Sequence, residues 1–274
     1  MNLKNECCIL SSGAGSWAFH PLANDLSKHI GVEVSDAPRR FNYLLHYGLE
    51  PSFDDGEVFI PVESIRIAAD KRRQAKLFRE HKVPSPETHL FENVADVFQH
   101  IVSRPDKEWC LKFPTGCGAT GHQMLGGAVV IPNSWPKPFI VQEFIRMADP
   151  AVHRIYCAGG ELFGWVARKY PSGKARSPWV AHARGARYVS EGEAPEEAAS
   201  AARLALKACG LLDSFGAVDL LLKPDGTWVV LEVGTDGVFN HVDRELGYPA
   251  LESTILEKIT RAFWKRAEAC LGAA

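Results

Sequence analysis

The run Ala217-Val218-Asp219-Leu220-Leu221-Leu222-Lys223-Pro224-Asp225-Gly226-Thr227-Trp228-Val229-Val230-Leu231-Glu232-Val233 sets two apolar stretches on either side of a turn. Pro224 presets φ for a turn and Gly226 supplies the flexible corner, so a β-hairpin is predicted, with strands Ala217 to Leu222 and Thr227 to Val233. With Pro224 and Asp225 at the turn centre, Leu222 is predicted opposite Thr227 and Asp219 opposite Val230. Glu232 then falls on the face of Asp219, one diagonal step along, and a slip of one residue would move it to the other face. Two carboxylates among so many aliphatic side chains repel each other and lose hydration unless a cation lies between them. A hard divalent ion with oxygen ligands, magnesium beside phosphate above all, meets both needs. The competing readings are an ion pair of one carboxylate with Arg154, Arg168 or Arg184, and a glycosidase-like acid/base pair.

Upstream, Trp109-Cys110-Leu111-Lys112-Phe113 reads as a strand in which Lys112 points away from Trp109, Leu111 and Phe113. The lysine overlooks Pro114-Thr115-Gly116-Cys117-Gly118-Ala119-Thr120-Gly121-His122, whose three glycines can turn backbone N–H groups toward an anion. Gly116 and Gly121 have the spacing of a Walker A loop. His122-Gln123 stand where that motif needs Lys-Ser/Thr, so this is not a P-loop. A hairpin loop folded over phosphates is predicted instead, its lysine supplied by the preceding strand.

The chain begins as strand Cys7 to Ser11, a glycine turn, a helix from Phe19 to His29 and strand Val32 to Ser35. Gly13-x-Gly15-x-x-Ala18 in the turn fits the dinucleotide fingerprint only loosely, and too few residues follow for a dinucleotide half-domain. A strand is expected at Glu57 to Val62, and Ala69-Asp70-Lys71 opens a helix through Glu80. Then come a helix at Val94 to Ser103, strands at Gly127 to Ile131, Phe139 to Ile145, His153 to Cys157 and Leu162 to Lys169, a basic loop, and helices at Pro195 to Cys209 and Ala250 to Leu271. The expected domains are 1–68, 69–147 and 148–274. The 274 residues are 46% hydrophobic and 23% charged, with a net charge of -2, which marks neither disorder nor a nucleic-acid partner. No stretch reaches signal-peptide or membrane-spanning length, and the seven cysteines have no C-x-x-C pair, so a cytoplasmic protein with free thiols is expected. Cys117, between glycines, is the thiol to watch.

Taken in order, Asp70-Lys71, the lysine strand with its glycine loop, Val141-Gln142-Glu143-Phe144-Ile145, Arg154, Arg168 and the Asp219/Glu232 hairpin resemble the ATP-grasp superfamily, in particular RimK-like and D-alanine:D-alanine-ligase-like carboxylate-amine ligases. The resemblance covers about residues 65 to 248. It implies an α/β (α+β) chain in which two α+β subdomains grip ATP, preceded by a short Rossmann-like N-terminal domain. It further implies that Lys71 and Lys112 contact phosphates, that Gly116, Gly118 and Gly121 belong to a lid loop, and that Gln142, Glu143, Phe144 and Ile145 form the strand meeting adenine. Asp149 would hold the ribose. Arg154 and Arg168 would face the triphosphate or an acyl phosphate, and Asp219 and Glu232 would ligate magnesium, two ions being expected and Mn2+ a substitute. The implied activity is ADP-forming activation of a small-molecule or peptide carboxylate for attack by an amine, with no nucleic-acid or membrane partner and room for a homodimer. The alternatives are a phosphotransferase on the same fold and a nucleotide-binding protein without turnover. Three positions depart from the family. Gly234 stands where Glu-x-Asn would supply a third ligand, leaving Asp236, Asn240 or water to do so. Val152 replaces an Asp, and Ala181 stands about where an Asn is common.

Overall fold

The computed structural model describes residues 3–11, 19–45, 58–116, 118–126, 130–173, 177–235 and 250–272. These residues form three sheets. In the first, β1 (Cys7–Leu10) lies between β2 (Val34–Ser35) and β3 (Phe41–Leu44), all parallel, with α1 (Phe19–Ile30) as the crossover. All four residues of β1 are buried, as expected for a parallel strand covered on both faces. The strand expected at 57–62 is not formed. Within the described residues Val58 makes a single bridge to Asn42, and Val62–Ala69 is helix α2. The cause is Pro61, which cannot donate to a ladder and stands as the N-cap of α2 at φ -56°.

Asp70 divides α2 from α3 (Lys71–Glu80). Its extended backbone (φ -129°, ψ 110°) stops the first helix, and its carboxylate accepts from Arg72 N at 2.8 Å to cap the second. The break makes Lys71 the first residue of a new helix, with its N–H on Pro114 O at 2.9 Å.

The second sheet, order β4-β7-β5-β6, is antiparallel: β4 (Thr88–Phe91), β5 (Trp109–Lys112), β6 (Gln123–Leu125) and β7 (Phe139–Glu143). Helix α4 (Val94–Ser103) covers one face, over a core that includes Val97, Trp109, Leu111, Leu125, Phe139 and Val141. Of the strand expected at 127–131, residues 127–129 lie outside the described residues; ahead of them Gln123–Leu125 forms β6 and pairs with Leu111–Trp109. Gly126 follows the last paired residue, and a residue without a side chain to pack is a weak continuation of a ladder.

The third sheet has the order β10-β9-β8-β11-β12, formed by β8 (Ala151–Ala158), β9 (Glu161–Lys169), β10 (Arg187–Ser190), β11 (Phe215–Leu222) and β12 (Trp228–Gly234). Helix α5 (Glu196–Ala208) lies on β11 and β12, burying Ala198, Ala201, Ala202 and Ala205, whose small side chains allow close approach. Helix α6 (Ala250–Leu271) spans from β8 to α1 and β3, where Phe263 meets Phe41 and Phe59 edge-on. The first and third sheets thus share one core, while the second keeps its own. The edge of β12 is closed without a strand. The Gln74 amide of α3 exchanges two hydrogen bonds with the backbone of Val233 (3.0 and 2.8 Å), and Pro84 O accepts from Val230 N at 2.7 Å. That closure ties α3, which carries Lys71, to the strand that carries Glu232.

Candidate active site

The acidic hairpin forms, with a different register. Lys223 N bonds Thr227 O and Gly226 N bonds Lys223 O, both at 2.9 Å, and Gly226 adopts φ +85°. The turn therefore has three central residues, Pro224-Asp225-Gly226, with the glycine in the left-handed region that such loops require. Leu222 pairs with Trp228 rather than Thr227. That slip alone would send the carboxylates to opposite faces. A bulge cancels it: Leu220 pairs with Val230 but Asp219 with Glu232, leaving Leu231 as the extra residue. The carboxylates consequently face each other across the ladder, where Asp219 was expected opposite Val230.

On the other side of β11, Arg154 is the direct cross-strand partner of Asp219, and Arg168 lies opposite Val152, two residues from Arg154 and hence on the same face. Arg154 donates to both Asp219 oxygens (Nε to Oδ1 2.7 Å, Nη2 to Oδ2 3.2 Å), and Arg168 Nη2 donates to Oδ2. Burial pushes the Asp219 carboxyl up, but Arg154 and then Arg168 outweigh it and hold the pKa down at about 2. Arg168 Nε is buried with no hydrogen-bond partner among the described residues, a donor still to be satisfied.

Lys71 approaches from α3. Its Nζ donates to Gly116 O of the glycine loop at 2.9 Å and pairs with Glu232 Oε2 at 3.6 Å. Burial would raise the Glu232 pKa, but Lys71, with Lys112 and Arg168, lowers it against the opposition of Asp219. Lys112, only 5% exposed, donates to Gln142 Oε1 at 3.0 Å, and Gln142 Nε2 in turn donates to Thr88 Oγ1. Burial lowers the Lys112 pKa, reinforced by Lys71 and opposed by Glu232 and Asp219. His122 lines the same cavity as these groups. Burial first, then Lys112 and Lys71, depress its pKa to about 3, so the ring is neutral at physiological pH.

Two cavities meet here. The first, about 790 Å³ counted to its open mouth, has a polar end at Lys71, Lys112, Arg168, Asp219 and Glu232 and an apolar end that includes Ile145, Met147, Val152 and Leu231. Gly118, Gln142, Glu143 and Phe144 also line it, with Trp179 edge-on to both Phe144 (5.3 Å) and His122 (5.5 Å). The second cavity lies between β3, α2 and the end of β12, and includes Gly116 and Arg154. Lys71, Asp219 and Glu232 are the residues common to both.

The site residues expected from sequence divide as follows. Lys71, Lys112, Gly116, Gly118, Gln142, Glu143, Phe144, Ile145, Arg154, Arg168, Asp219 and Glu232 all line one or both cavities. Asp149 is exposed and lines neither, and Gly121 sits at the loop's end against Phe113. Asp236, Asn240, Cys117 and the Gly13 to Ala18 turn lie outside the described residues. Sequence reasoning missed the second cavity's wall of Tyr43, Leu44 and Leu45 because strand β3 is four residues long and follows Pro38-Arg39-Arg40, which reads as loop. It also passed over His122 as a cavity-lining group, though its place at the end of a glycine loop was the signal.

No family model matches the sequence, and neither does any curated protein. Solved structures do match in shape. The D-cycloserine synthetase DcsG superposes with a TM-score of 0.60 at 16% identity, over 95% of this chain and 99% of that one. A D-alanine–D-alanine ligase from Bacillus anthracis gives 0.66 at 12% identity, over 98% of each chain. A RimK domain ATP-grasp protein from Sphaerobacter thermophilus DSM 20745 gives 0.62 at 16% identity, over 94% and 98%. The fold is ATP-grasp. The second sheet, carrying Lys112 and the glycine loop, and the third, carrying Asp219 and Glu232, both contribute to the wall of the first cavity. At such identities the likeness extends to the fold, and the reaction has to be argued from the site.

Proposed function

We propose that the protein is an ATP-dependent ligase that activates a carboxylate as an acyl phosphate, releasing ADP and then phosphate as an amine or other nucleophile attacks. The observation that carries this reading is the junction of the cavities: a slot with an apolar end and a charged end adjoins a second chamber, and Lys71, Asp219 and Glu232 line both. Adenine would occupy the apolar end beside Phe144 and Ile145, with the triphosphate running toward Lys112 and Lys71. The acceptor carboxylate would enter from the second chamber, where Arg154 offers it a cation.

The donor set fits magnesium, since two ionised carboxylates face each other on adjacent strands beside the expected phosphates. When bound there, the ion would supply charge neutralisation for the transferring phosphoryl group. The chain's own groups do the rest. Lys71, Lys112 and Arg168 stabilise the charge spread over the phosphoryl oxygens, a transfer that asks for positioning and cations rather than covalent help. Neutral His122 adds a hydrogen-bonding group without a fourth positive charge. Arg154 orients the attacking carboxylate.

One observation favours a second reading. Both Asp219 oxygens are engaged by arginine, and a protein that merely held nucleotide would have no reason to release either. The deciding experiment incubates the protein with Mg-ATP and pools of carboxylates and amines, separating ADP plus phosphate from AMP plus pyrophosphate. Substrate-dependent ADP formation is expected. AMP formation overturns the acyl-phosphate route, and ATP binding without turnover in any pool favours the second reading.

A further inference from the structure

On the far side of the second sheet from α3, Glu87 and His89 stand two residues apart at the start of β4 and so share a face, and α4 lowers His100 onto it. The His89 and His100 ring centroids are 4.3 Å apart, and His89 Nε2 lies 2.8 Å from Glu87 Oε1. One ligand atom from each of the three residues falls within 4.8 Å of the others. His100 Nε2 is buried and has no hydrogen-bond partner among the described residues, one of few such atoms there and one that calls for an explanation. We propose that Glu87, His89 and His100 form a binding site for a single zinc-class divalent ion, separate from the nucleotide cavity.

The chemistry of the donors selects the ion. Two imidazoles and one carboxylate suit zinc, cobalt or nickel rather than magnesium or calcium, which demand oxygen. Glu87 and His100 also stand in the protonation states that ligation needs. Burial holds His100 below its ordinary pKa, with His89 and Arg104 adding to the effect, so it is neutral. Glu87 is pushed down to about 2, by Lys107 first and by His89 next, so it is ionised. Lys107 Nζ holds Glu87 Oε2 at 2.6 Å, which leaves Oε1 turned toward the histidines, the arrangement by which an outer partner orients a ligating carboxylate. Arg104 reaches Oε1 at 3.4 Å, but its side chain is 47% exposed and can swing into solvent. Tetrahedral zinc with bonds of about 2.0–2.1 Å needs ligand atoms roughly 3.3 Å apart, a contraction that side-chain rotation at the surface of β4 and α4 can supply. Lys107 also pairs with Glu143 at 3.5 Å, so the ion would sit one ion pair from the nucleotide cavity.

The test is zinc titration of the tag-free, full-length protein against a chromophoric chelator, with Co2+ absorption as a second readout, on wild type, E87Q, H89F and H100F. The phenylalanine variants keep a ring in the stack, and thermal melts in EDTA check that each folds. Expected are one zinc per chain in the micromolar range or tighter, affinity at least about ten-fold weaker in H89F and H100F, and a Co2+ spectrum without thiolate charge transfer. If either variant unfolds, zinc-induced shifts of the His89 and His100 ring resonances in wild type decide instead. Absence of micromolar binding, equal affinity in all folded variants, unmoved ring resonances, or thiolate charge transfer from the cysteines would each overturn the proposal. E232Q, which leaves this cluster intact, should bind zinc as wild type does.

Discussion

Replacing Asp219 by Asn should unfold the protein more readily, and the cost follows from its partners. Asp219 is 2% exposed and is the carboxylate that Arg154 and Arg168 both hold. Asparagine removes the negative charge and turns an amide N–H₂ toward guanidinium donors, leaving two positive charges, on side chains 18% and 12% exposed, without their anion. Breaking a buried ion pair from one side costs about 3–5 kcal/mol, and the residual water access of the arginines places the estimate at about 3. The lowered carboxyl points the same way: a fall from 3.8 to about 2 corresponds to roughly 2–3 kcal/mol. Because the folded pKa is the lower one, this stability is complete above pH ~4 and is lost as pH falls toward 2. Thermal melts at pH 7 should therefore fall by about 6–12 °C in D219N, and the mutant's stability should depend less on pH between 4 and 2. A D219N melt within about 2 °C of wild type would refute the reasoning, by showing that the arginines do not depend on Asp219.

Glu232→Gln is the contrasting change: its side chain is 34% exposed and 3.6 Å from Lys71, so stability should drop by no more than ~1 kcal/mol while ADP formation is lost in the assay above. Lys112→Met should leave the melting temperature unchanged or raised, since burial already opposes the charge, yet weaken ATP binding by more than about ten-fold in calorimetry. His122, neutral when folded, should show no ring titration by NMR between pH 5 and 8. Its unfolded form takes up a proton below pH ~6.5, so wild type should lose stability as pH falls from there, and His122→Gln should flatten that slope. Gly226→Ala, at φ +85°, should destabilise by about 1 kcal/mol or more in denaturant melts.

Much of the architecture was legible because strong local signals and long elements coincide. The helix expected at Ala250 to Leu271 is α6, and the alternation around Lys112 turns its ammonium to the cavity while Trp109 and Leu111 enter the core. What was not legible depends on partners distant in sequence. Strand β3 is four residues long and is defined by pairing with β1. The Glu57 to Val62 segment has strand composition, but Pro61 starts a helix there. At the acidic hairpin, the turn and the bulge each shift the register by one, and neither is visible in the apolar pattern. Their cancellation preserved the expectation of a shared face while changing the cross-strand partner.

The amide closure of β12 has a consequence for engineering. Gln74 satisfies a donor and an acceptor of the Val233 backbone at once, a role that neither a carboxylate nor an ammonium side chain can fill. A recombined or redesigned chain that varied α3 for solubility would treat position 74 as ordinary helix, since the residue carries no charge and no chemistry. Keeping it is the condition under which one helix and one strand from different parent sequences could be joined with Lys71 and Glu232 still aligned.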